Sequence, residues 1–109
     1  MVLRPLSASE RADALNKAAA ARATRAAAKE SLKNGERSAA DIIDSAQQDD
    51  ALARMKVSEL LEALPGIGKV RAAIIMGQLG IAASRRVRGL GVHHRRALVD
   101  FIDDNQGGP

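Results

Sequence analysis

Leu64-Pro65-Gly66-Ile67-Gly68-Lys69 is the stretch from which the rest of this chain can be read. Pro65 biases Leu64 away from the helical region and so ends the helix before it. Gly66 and Gly68, one residue apart, allow a tight turn with positive φ angles. A new helix is predicted from Lys69 to Leu79, with Gly80 as its C-terminal stop. The segment is therefore a hairpin between helices. No strand precedes it, which separates it from the strand–loop–helix phosphate loops of nucleotide-binding proteins. Backbone without Cβ atoms can approach a ligand closely. The free N–H groups and dipole of the following helix make an anion site. Lys69 adds a full charge, Arg71 sits close by, and a phosphate oxygen is the expected guest. Ile67 would pin the hairpin to the core.

Upstream of the hairpin the pattern stays helical. Ser7-Ala8-Ser9-Glu10 has the form of a capping box. An alanine-rich run follows, which predicts a long helix over residues 8–34 stopped by Gly35. Leu15 and Leu32 are its only large apolar residues, so it reads as an arm or a thinly packed flank. Arg11, Arg22, Arg25, Lys29 and Lys33 fall on one face, either solvated or turned toward phosphates. A second helix is expected from Ser38 to Gln48, with Asp41 completing a capping box. A short helix follows over Ala51–Met55, then one over Glu59–Leu64 capped by Ser58. Downstream, Val70, Ile74 and Ile75 are the predicted buried residues of the helix after the hairpin. A loop with tight turns spans Ser84 to Gly91. The last helix covers His94–Ile102 and buries Leu98, Phe101 and Ile102. No period-2 strand pattern and no internal repeat occurs, so the fold class is all-α.

Charge divides the 109 residues unevenly. Residues 1–35 hold seven basic and three acidic side chains, and residues 36–65 hold three basic and seven acidic. Residues 66–102 hold seven basic side chains and only Asp100 as an acid. Two positive segments thus flank a negative one, within a net charge of +4. Such asymmetry directs a positive surface at a polyanion. Phe101 is the only aromatic residue, which leaves no stacking platform of the kind single-strand binders use. Duplex backbone is the more natural partner. The chain has no cysteine, which excludes disulfides and thiolate metal sites. No apolar run approaches the roughly 20 residues of a membrane span. Met1 to Pro5 lacks the apolar segment of a signal peptide. A cytoplasmic protein is expected.

Two more basic clusters follow the hairpin. Ser84-Arg85-Arg86-Val87-Arg88-Gly89-Leu90-Gly91 places three arginines within four residues. Arginine offers a planar fork for phosphate and fits a narrow minor groove. Val87 and Leu90 would anchor this loop. His93-His94-Arg95-Arg96 is the last cluster. Its adjacent histidines point about 100° apart on a helix, with no third ligand to complete a metal site, so Arg95 and Arg96 facing a phosphate backbone are the stronger reading. No cofactor is expected and no catalytic residue is assigned.

The chain resembles the actinobacterial, mycobacterial-type integration host factors, nucleoid-associated proteins unrelated in fold to the heterodimeric integration host factor. The resemblance rests on Leu6-Ser7 with Glu10-Arg11 and the alanine-rich helix. It continues through Met55-Lys56-Val57-Ser58, Leu60 to Pro65, Gly68 to Ala72, Ile75-Met76 and Ser84 to Gly91. Asn34 to Gln48 and the part from Val92 onward are dissimilar. The resemblance implies a long N-terminal helix and a compact helix–two-turns–helix DNA-binding core. The expected organisation is an arm over 1–35, the core over 36–104 and a flexible tail over 105–109. It implies a nucleoid protein that binds double-stranded DNA with little sequence preference and bends or compacts it. It implies support of site-specific phage integration, with a phage integrase as a further partner and a monomeric chain. The family's glycine turn maps onto Gly66, Gly68 and Lys69, and its arginine loop onto Arg85, Arg86 and Arg88. With Arg71, Gly89, Arg95 and Arg96 these form the candidate DNA-binding set. Two alternatives share the glycine turn. One is an RNA-binding ribosomal protein with a helix–two-turns–helix. The other is a fragment of a DNA-repair glycosylase, which would need a deep base pocket.

Overall fold

The computed structural model describes residue 5 and residues 7–106. The expectations for Met1–Arg4, for Leu6 and for the last three tail residues lie outside them. Among the described residues the elements are α1 (Ala8–Lys33), α2 (Ala39–Ser45), α3 (Asp50–Ala53), α4 (Val57–Glu62), α5 (Lys69–Leu79), a 3-10 turn (Val87–Gly89) and α6 (Val92–Gln106). The all-α class stands. The one strand-like feature among the described residues is an isolated antiparallel bridge between Lys56 and Arg86. No helix among them is long and apolar enough to cross a membrane.

Local chemistry accounts for most of the boundaries. Ser7 Oγ accepts the Glu10 N–H at 3.1 Å and starts α1. Gly35 takes φ +74° just past its end. Ser38 and Asp41 form both bonds of the expected capping box, at 3.1 and 3.2 Å. Asp49 Oδ1 accepts from Ala51 and Leu52 N–H and opens α3. The start of α4 differs from the sequence reading. Lys56, not Ser58, occupies the N-cap, and no side chain caps it. The entry into α4 is set instead by long-range pairing. Val57 N–H donates to Arg85 O at 3.0 Å and Val87 N–H to Met55 O at 2.9 Å. The last helix is longer than His94–Ile102 at both ends, and it takes in residues 105 and 106, which lie in the stretch expected as a flexible tail.

The core gathers around Ile42, Met55, Val57, Leu60, Leu61, Ala72 and Leu98, all fully buried. Leu32 and Ala28 join it from the C-terminal half of α1, which packs on α3. The other half of α1 stands out: residues 11–20 are all exposed, Leu15 among them. A correction falls on α5. Its buried residues are Ala72, Ile75 and Met76, whereas Val70 is 77% exposed and Ile74 54% exposed. At about 100° per residue, Val70 and Ile74 lie on the opposite face from Ala72 and Met76. The helix turns Ala72, Ile75 and Met76 inward and leaves Val70 and Ile74 in water.

Candidate nucleic-acid interface

The hairpin between α4 and α5 has the geometry of an anion site. Ile67 is buried, so the turn is fixed to the core, and its N–H donates to Leu64 O at 3.2 Å. Gly66 has φ +80°, the left-handed region that favours glycine. Gly68 departs from the expectation of two positive φ angles: its φ is −93° and it serves as the N-cap of α5. A side chain at Gly68 would meet no protein atom within 4 Å, so the turn exposes its backbone to the outside. The first donor to pair inside α5 is Ala72 N–H, to Gly68 O at 2.9 Å. The N–H groups of Lys69, Val70 and Arg71 have no intrahelical acceptor, and no side chain caps them. Both Lys69 and Arg71 are exposed.

A contribution that the sequence reading left undecided comes from α1. Lys29 and Lys33 line a cleft of about 540 Å³ together with Pro65 and Gly66. The basic stripe therefore ends beside the glycine turn, with Glu30, Glu59 and Glu62 along the same cleft. Arg25, read as part of that stripe, serves the fold: its Nη1 donates to Ala51 O at 3.4 Å. Arg22 and Arg11 are exposed.

The arginine loop is sewn to the segment before α4. Val87 and Leu90 are buried as its anchors. Its three arginines then take different positions. Arg85 folds back along its own loop and donates from Nη1 to Gly89 O at 3.1 Å. A Cβ at Gly89 would lie 3.0 Å from Arg85 Cδ, so the missing side chain makes room for that fold-back. Arg86 donates from Nη1 to Arg54 O, the residue that closes α3. The Arg88 side chain has no hydrogen bond or ion pair among the described residues and lines a second cleft of about 540 Å³, where Arg95 joins it from α6. Arg96 is exposed elsewhere on α6. Gln47, Gln48, Asp49 and Asp50 line the same cleft. The two carboxylates are engaged, Asp49 as the cap of α3 and Asp50 with Arg54 Nε at 3.1 Å. Nothing in the sequence places Gln47 and Gln48 beside arginines some forty residues away. The packing of α2 against α6 and of α3 against the 3-10 turn does so.

The residues singled out in the sequence thus fall into two sets. One holds Gly66, Gly68, Lys69 and Arg71, extended by Lys29 and Lys33. The other holds Arg85, Arg86, Arg88, Gly89 and Arg95, extended by Gln47 and Gln48. Each set presents cations that form no ion pair with a carboxylate among the described residues: Arg88 in one, Lys69 and Arg71 in the other.

Comparison with known proteins follows the same outline. Residues 32–101 match the family described as an S13-like H2TH domain. An integration host factor of Streptomyces coelicolor is 56% identical over 98 residues, covering 90% of this chain and 92% of that protein. An integration host factor of Mycolicibacterium smegmatis is 49% identical over 105 residues, covering 96% of this chain and all of that protein. A solved structure described as sIHF bound to an 8bp palindromic DNA superposes with a TM-score of 0.75. It is 53% identical and covers 76% of this chain and 93% of that one.

Proposed function

The chain belongs to the actinobacterial integration host factor family, and from that premise we propose that it is a nucleoid protein that grips duplex DNA by its sugar-phosphate backbone. The observation that carries this reading is the exposed glycine turn. Its uncapped helix N–H groups face outward between Lys69 and Arg71, with Lys29 and Lys33 at its side. That is the arrangement an anionic backbone requires. The DNA seen on the related sIHF supports duplex as the polyanion. The role proposed is binding rather than catalysis.

Within this reading Lys69, Arg71 and Arg88 contact phosphates directly, while the Gly66 and Gly68 backbone lets them approach. Arg85 and Arg86 shape the loop and offer phosphates the donors they do not spend on carbonyls, since guanidinium has five. Arg95 and Arg96 extend the surface onto α6. Two contact sets on one small body let the protein hold a duplex in a bent or compacted path, and such a path supports site-specific phage integration beside an integrase. The chain acts as a monomer in the nucleoid. Its exposed N-terminal half-helix is an arm on the folded core.

A competition assay tests this reading. Labelled duplex DNA should be displaced by unlabelled DNA of unrelated sequence within about tenfold of the cognate value, because backbone contacts carry no sequence information. A matched RNA duplex, with its deep and narrow major groove, should compete poorly. Preferential displacement by RNA would favour the ribosomal-type alternative.

A further inference from the structure

Val70 and Ile74 are out of place as exposed residues. They stand one helical turn apart on α5, 77% and 54% exposed, and form the outer wall of a shallow groove of about 760 Å³. Ile75 and the half-buried Phe101 form its floor. Apolar surface grouped in this way is costly in water and marks a contact face. The rim states what kind of contact. Lys69 and Arg71 border the groove and no carboxylate lines it. No acidic residue occurs anywhere from Lys69 to Arg96. Val70 also sits at the second position of α5, directly beside the N–H groups of the glycine turn. A phosphate held by those N–H groups would lie next to Val70.

A second copy of the chain fits the groove less well. A two-fold contact would set Lys69 and Arg71 against the same residues of the other copy, where like charges repel. A polyanion with apolar sugar faces satisfies both the rim and the wall.

We propose that Val70 and Ile74 form an apolar wedge that packs against the deoxyribose faces of the minor groove and drives the bend, an inference that rests on the duplex-binding reading above. Architectural proteins that bind the minor groove use apolar side chains in this way to open base steps and kink the duplex. The cations on the rim hold the backbone while Val70 and Ile74 press into the groove. Affinity then has a salt-dependent part from Lys69 and Arg71 and a salt-independent part from the wedge.

The test compares the wild-type chain with Val70→Ser/Ile74→Ser, using a duplex labelled at both ends. Energy transfer reports the bend, anisotropy the affinity, and circular dichroism the melting of the free protein. In the double variant the bend signal should fall by at least about half and affinity by about tenfold, as expected for losing two apolar contacts. The dependence of log affinity on log salt should not change. Val70→Thr/Ile74→Thr, which keeps the β-branch and removes apolar surface, should follow the serine variant even if serine lowers the melting point. Val92→Ser removes an equally exposed apolar side chain elsewhere and should behave as wild type. A folded double variant that bends and binds like wild type overturns the proposal. So does a dimeric wild type that the substitutions render monomeric with bending intact. A wild-type chain that binds no duplex overturns the duplex-binding reading itself, and a chain that binds without bending overturns only the wedge.

Discussion

Arg86→Ala separates what the arginine loop does for the fold from what it does for DNA. As an exposed loop cation without a partner in the fold, Arg86 would contribute less than about 0.5 kcal/mol to stability. The structure gives it a partner. Its guanidinium donates to Arg54 O, on the residue that caps α3, while Lys56 and Arg86 pair across the isolated bridge. Removing the side chain leaves that carbonyl unsatisfied by protein and loosens the seam that starts α4. A hydrogen bond with one charged partner contributes about 1.5–3 kcal/mol when shielded. Arg86 is exposed, so water recovers part of the loss, and about 1 kcal/mol is the expected cost. For a domain near 100 residues that lowers Tm by roughly 4–8 °C. Arg88→Ala removes a cation with no partner among the described residues and should leave Tm unchanged. Urea unfolding and duplex anisotropy, run on both variants, give the comparison. Arg86→Ala should lose stability and binding together, Arg88→Ala binding alone. Equal Tm values for the two would refute the structural role assigned to Arg86.

The two glycines of the hairpin should respond differently. Gly66→Ala forces a side chain into φ +80° and should cost about 1 kcal/mol in urea unfolding. Gly68→Ala has ordinary φ and open space around it, so stability should hold while affinity falls if DNA touches that backbone. Truncation should also divide in two. Removing residues 1–20 takes away exposed helix and should leave a cooperatively melting core. Removing 1–35 also deletes Leu32 and Ala28 from the core, and loss of buried leucine typically costs about 2–5 kcal/mol, so this truncation should melt far earlier.

Much of the fold was legible in short-range chemistry. The capping boxes, the proline and glycine stops and the alanine run act within a few residues, and α1, α2 and α5 begin and end close to where those signals lie. What tertiary packing decides was not legible. Which face of α5 is buried depends on α4 and α6, and apolar count alone favoured Val70 and Ile74 over Ala72 and Met76. The start of α4 depends on the Arg85 and Val87 backbone, some thirty residues downstream. The site shows the same division. Gly66, Gly68 and Lys69 announce themselves by local order. The arginines of the loop look alike in sequence, yet Arg85 and Arg86 bind carbonyls and Arg88 does not. Lys29, Lys33, Gln47 and Gln48 join the two sets only through helix packing.

The measurement that bears most directly on backbone binding through two contact sets is the salt dependence of duplex affinity, for the wild type and for Lys69→Ala/Arg88→Ala. Lys69 and Arg88 come one from each set, and neither side chain has a hydrogen bond or ion pair among the described residues, so the double variant should fold and melt as wild type. With roughly 3–6 phosphate contacts, the wild-type plot of log affinity against log salt should slope between about −3 and −5. The double variant should be flatter by about 2, one for each lost contact. A wild-type slope near zero, or a double variant with an unchanged slope, would contradict the account.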